Sequence, residues 1–127
     1  MRKSKFHIIT IKGITSGQRI PRISYKLPGN VREIIGYMVS ANAYSSAAKN
    51  YNLGYLSLHL NDRAKHVIYD TVQSRPASQQ HRKQEMLTLN EPVRGGSMVQ
   101  GFYLDNGDAL SYPYDLRIYL QCSIEVV

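Results

Sequence analysis

The stretch "LRIYLQCSIEVV", residues 116–127, constrains the fold more than any other. Leu116, Ile118, Leu120, Cys122, Ile124 and Val126 fall on one side of an extended chain, and Arg117, Tyr119, Gln121, Ser123 and Glu125 on the other. Successive side chains of a strand point to opposite faces. The pattern therefore predicts a strand with one face in a core and the other turned to water or a partner.

The same period of two runs through most of the chain. "FHIITIKGI" (6–14) is rich in β-branched residues and reads as a strand. "SGQRIPRISYKLPGN" (16–30), with two prolines and two glycines, reads as a long loop or an edge segment. "VREIIGYMVSAN" (31–42) reads as a strand, with Gly36 marking a bulge or a close backbone approach. "AYSSAAKNYN" (43–52) is a polar connection that can hold one helical turn at Ser45–Lys49.

Residues 53–72 form the clearest hairpin, with "NDRA" as its turn. The alternation predicts Leu58 opposite Val67 and Leu56 opposite Tyr69, and His59 opposite His66 on the other face. "QSRPASQQHRKQE" (73–85) has no period and reads as an exposed polar loop. Short strands follow at "MLTLNEPV" (86–93) and "SMVQGFYLD" (97–105), then a turn at "NGD" and a connection at "ALSYPYD" (109–115). Seven or eight strands without a helical period predict one all-β domain over residues 1–127. The expected architecture is an antiparallel sandwich or a closed barrel, and the one-sided terminal stretch favours the sandwich.

Composition bounds the chemistry. No apolar run approaches the ~18–20 residues of a membrane-crossing helix. The opening "MRKSKFHIITIKG" is basic and then apolar, but it holds His7, Thr10 and Lys12 and lacks a small-residue cleavage site. It is not read as a secretory signal. Cys122 is the one cysteine, which excludes an intrachain disulfide and a cysteine zinc cluster, and its position predicts a buried small hydrophobe. His59 and His66 could begin a metal site, with Asp62 or Asp70 as the nearest further ligands, yet they read as surface histidines. No nucleophile elbow, carboxylate pair or phosphate loop stands out, so neither enzyme nor cofactor is expected.

The net charge of +7 is unevenly spread. Residues 1–32 hold eight Lys or Arg and no acid, whereas residues 103–127 hold four acids against Arg117. Such asymmetry points the basic end at something anionic, or at the acidic end of a second copy. Arg2, Lys3, Lys5, Arg19, Arg22 and Lys26 are the candidates for facing nucleic acid or a membrane. "RIPRISYK" sets Tyr25 among three of these cations, the interleaving of a surface that stacks bases and contacts phosphates. Tyrosine is enriched, at ten residues with no Trp, and interfaces favour its broad, hydroxyl-tipped ring.

Three segments carry a resemblance: the basic strand "KFHIITIKGI", the glycine-broken strand "VREIIGYMVSAN", and the late "GSMVQGFYLDNGD…YPYDLRIYLQCSIEVV". Over the whole chain this layout resembles the small jelly-roll structural proteins of bacteriophage virions, such as penton or minor capsid proteins of tailless icosahedral phages. The resemblance implies a single jelly roll and an assembly role in a virion built in the host cytoplasm. It implies as partners copies of the chain and other virion proteins, with genome or inner membrane meeting the basic segment. Tyr112, Tyr114, Arg117, Tyr119 and Glu125 are the interface candidates. The alternatives are a carbohydrate-binding β-sandwich using tyrosine platforms and a small basic nucleic-acid-binding barrel.

Overall fold

The computed structural model describes residues 2–42, 52–60, 66–73, 87–107, 109 and 112–126, with the backbone alone at 52, 66–73 and 87. Its strands are β1 (Arg2–Ile14), β2 (Arg19–Lys26), β3 (Val31–Ala41), β4 (Asn52–Leu60), β5 (His66–Gln73), β6 (Leu87–Pro92), β7 (Met98–Asp105) and β8 (Tyr114–Glu125). They form two four-stranded antiparallel sheets, ordered β1-β8-β3-β6 and β2-β7-β4-β5. In each sheet late strands lie between early ones, which is the double Greek-key order of a jelly roll.

The terminal strand answers to its alternation. β8 runs between β1 and β3, and Leu116, Ile118, Leu120 and Cys122 are completely buried. They pack in one core with Leu56, Leu58 and Leu60 of the facing sheet. Burying side chains of this size stabilises by about 1.5–3 kcal/mol each, which is why the one-sided pattern dictates which way the strand faces.

The proline-rich segment after β1 is an edge strand, β2, rather than a loop. Its pairing with β7 slips between Ile20 and Ile23, across Pro21 and Arg22. A proline lacking its N–H is tolerated where the ladder is interrupted at an edge. Gly36 sits at a bulge as expected, with β3 slipping between Ile34 and Gly36 against both neighbours.

The hairpin register differs from expectation. Leu58 pairs with Ile68 and Leu56 with Asp70, one residue beyond Val67 and Tyr69. His59 still pairs with His66, because the ladder shifts between Leu58 and His59. One extra residue on β5 at this bulge separates the two registers, and alternation alone cannot locate such an insertion. The helical turn expected at Ser45–Lys49 and the loop expected at 73–85 lie outside the described residues, apart from Gln73 at the end of β5.

Candidate functional site

Two outward surfaces and one buried polar cluster concentrate the chain's distinctive residues. The first surface is the outer face of the β1-β8-β3-β6 sheet. Directly opposed residues of antiparallel strands share a face. Ile8 lies opposite Tyr119, and Tyr119 lies opposite Met38, so an apolar row crosses three strands. Phe6 extends it along β1, opposite Gln121. Phe6 is 51% exposed and Ile8 47%. Arg117 and Glu125, also on β8, flank this row, and Arg2 pairs with Glu125 at 3.6 Å. Three of the expected interface residues, Arg117, Tyr119 and Glu125, are thus brought to one face. Phe6 and Ile8 join them unanticipated, because β1 is apolar on both faces and its alternation did not separate in from out.

Tyr114 is a correction. It is 2% exposed, so it is not at the surface for a partner. Its hydroxyl donates to Asp105 Oδ1 at 2.6 Å, and with that proton committed it accepts from Tyr103, 2.7 Å away. The half-buried Tyr112 donates to Asp105 Oδ2 at 2.9 Å and accepts from the Ala109 amide. The backbone amides of Gly17 and Gly107 donate to the same Oδ2 at 2.7 and 3.0 Å. Asp105 therefore ties the turn after β1 to the turn after β7, with its carboxylate surrounded by donors.

Both glycines have φ near +70 to +85°, a conformation that spares them a Cβ penalty while aiming their amides at the carboxylate. Burial, foremost, pushes the Tyr103 and Tyr114 hydroxyls well above their ordinary range, and Tyr112 rises for the same first reason. The cluster is a clasp for loops. The alternation placed Asp105 at the end of the strand 97–105, next to the NGD turn, and gave no sign of its hydrogen-bond partners.

The second surface is the side of the sandwich where the two edge strands β1 and β2 run. Arg2, Lys3, Lys5 and Lys12 on β1 and Arg19, Arg22 and Lys26 on β2 are all exposed, with Arg2 on the outer sheet face opposite Glu125. The strands meet through His7 and Tyr25, whose hydroxyl lies 3.4 Å from His7 Nδ1. His7 is 9% exposed, and its Nε2 is buried without a hydrogen-bond partner. Desolvation, aided by the Lys5 charge, lowers its pKa below the ordinary imidazole value. Sequence reading passed over His7, since one histidine in a basic strand carries no pattern.

Cys122 is fully buried, and burial raises its thiol to about 11. Among the described residues no group of three His, Cys, Asp or Glu is arranged to hold a metal, and the His66 side chain is not among those described. Tyr55, 45% exposed, is the one tyrosine in the described set that stands open to solvent as a platform would.

No protein-family model matches this chain, and no curated protein does. Among solved structures it is similar to a chain of the cyanophage Pam1 capsid asymmetric unit. The TM-score is 0.54 at 11% identity, over 98% of this chain and 85% of that one. At that identity the likeness is one of fold alone.

Proposed function

We propose that this protein is a structural subunit of a virion, of the penton or minor-capsid kind. It works by burying surface against copies of itself and against other virion proteins, without turnover or cofactor. The observation that supports the reading is the whole-chain likeness to a capsid chain, shared over 98% of the residues. The outer face of the β1-β8-β3-β6 sheet supplies the interface. A row of exposed Phe6 and Ile8 with half-buried Tyr119 and Met38, flanked by Arg117 and Glu125, has the apolar centre and charged rim of a protein-binding patch.

The test is to compare the purified protein with the double substitution Phe6→Asp and Ile8→Asp by electron microscopy and light scattering. Closed assemblies that the double substitution dissociates, with the fold retained, support the reading. Identical assemblies in both proteins would remove this face from it.

A further inference from the structure

β1 is an outer strand of its sheet, with β8 on one side and no described strand on the other. Its ladder to β8 runs residue for residue, without a slip, from Arg2 to Ile11. In an antiparallel strand successive residues turn their N–H and C=O groups to opposite sides. Every second residue of β1 therefore holds a donor and an acceptor out at the free edge, and no described residue takes them. The other three outer strands are guarded. β2 contains Pro21 and a register break between Ile20 and Ile23. β6 has six residues, ends on Pro92 and meets a slip in β3 between Ile34 and Gly36. β5 slips at both ends of its pairing with β4. Prolines, bulges and short length close an edge to further pairing. β1 from Arg2 to Ile11 has none of them.

What β1 carries instead is charge at its ends. Lys3 and Lys5 alternate onto the side of the buried His7 and Ile9, while Lys12 follows Phe6 and Ile8 on the outer side. Among the described residues none of these three lysines has a carboxylate partner, and Arg2 is paired with Glu125. Between the charged ends, Phe6 to Ile11 holds neither Lys, Arg nor acid.

We propose that the free edge of β1 takes an acidic, extended segment of another protein as an added strand. Three features select this occupant. The edge offers carbonyls as well as amides, and a peptide backbone answers both, whereas a phosphodiester chain has no donor for the carbonyls. A second copy would bring the same cations to the seam from both sides, and like charges across paired strands are destabilising. An acidic segment reverses that sign, and β-branched residues at its centre fit beside Phe6, Ile8 and Ile9. The lysines thus exclude self-pairing and admit an opposite partner. The inference goes beyond the virion reading and does not depend on it, because the edge binds through the backbone whatever the outer face assembles.

The experiment is fluorescence anisotropy of a labelled synthetic peptide with the full chain. The peptide runs antiparallel to residues 2–12, with Glu opposite Lys3, Lys5 and Lys12 and with Val, Ile or Thr opposite Ser4 and residues 6–11. Two further versions carry N-methyl groups on alternate residues, one on the odd positions and one on the even. Only one set of amides faces β1. One version should therefore lose affinity by more than ~100-fold while the other binds like the parent. Replacing the Glu residues of the peptide by Lys should weaken binding by a similar factor, and Lys3→Glu with Lys5→Glu in the protein should reverse that preference. Arg94→Gln, in the turn before β7, should change nothing. Hydrogen exchange adds a readout on the unmutated protein: alternate β1 amides exchange freely alone and are protected with peptide.

No binding at ~1 mM peptide overturns the proposal. So does equal binding of the two N-methylated versions, which would mean charge attraction without strand pairing. Protection of every β1 amide in the free protein also overturns it, because the edge would already be covered. A change in native mass is not among these readouts, so failure here and failure of the assembly reading are told apart.

Discussion

The Asp105 cluster and the β1–β2 side use charge in opposite ways. At Asp105 one carboxylate is buried and takes hydrogen bonds from two tyrosines and two backbone amides. Along β1 and β2 seven cations stand in solvent, and among the described residues Arg2 alone has a carboxylate partner. A carboxylate is compact and accepts several bonds at once, so it can organise loops from within. Lys and Arg carry long stems and hydrate readily, so they serve at a surface. The charge asymmetry along the sequence thus resolves into a division between architecture and contact.

The sharpest way to break that comparison is to empty the cluster. Asp105→Ala leaves two hydroxyls and two amides without their acceptor and should destabilise by about 3–5 kcal/mol in denaturant unfolding. Lys3→Gln with Lys5→Gln should change stability by less than ~0.5 kcal/mol in the same assay. Equal losses would erase the distinction. Tyr114→Phe removes one donor from Asp105 and the acceptor of Tyr103, and should cost about 1–2 kcal/mol.

The two regions should also fail at opposite ends of the pH scale. Folding raises the Tyr103 and Tyr114 hydroxyls above their ordinary 10.0, so the native state holds protons that the unfolded chain releases. Their contribution is complete below pH 10 and is lost as pH rises beyond it. Folding lowers His7 below its ordinary 6.5, so the unfolded chain binds the proton first. Its contribution is complete above that value and falls as pH drops toward the folded value. His7→Gln should flatten the acid side of a stability–pH curve and leave the alkaline side unchanged.

The smallest effects lie where charge is paired but exposed. Glu125→Gln, at a half-exposed ion pair, should shift stability by no more than ~0.5–1 kcal/mol. Cys122 offers a control for the core. With its thiol raised to about 11 and fully buried, it should resist a thiol reagent in the native protein and react at once in denaturant.

Much of the framework was legible in advance. Alternation over 116–126 marked β8 because a strand flanked on both sides, with one face buried, must repeat every two residues. Gly36 announced its bulge. The strand order was not written in the strands, since pairing partners come from topology and not from local pattern. The β4–β5 register slipped by one residue because a bulge leaves the alternation on either side of it intact. Of the candidate surface residues, Arg117, Tyr119 and Glu125 stand on one face, and the six cations are exposed along the edge strands β1 and β2. Tyr114 went inward, because a tyrosine beside a buried carboxylate is worth more as a donor than as a platform. That pairing required Asp105 and Tyr114 to meet in three dimensions.

Assembly through the outer sheet face is tested by the native mass of the purified protein, measured by sedimentation at low and high salt. The expected species is a closed homo-oligomer of defined stoichiometry that persists into moderate salt, held by the Phe6–Ile8–Tyr119 face. A monomer at every concentration and salt would contradict it.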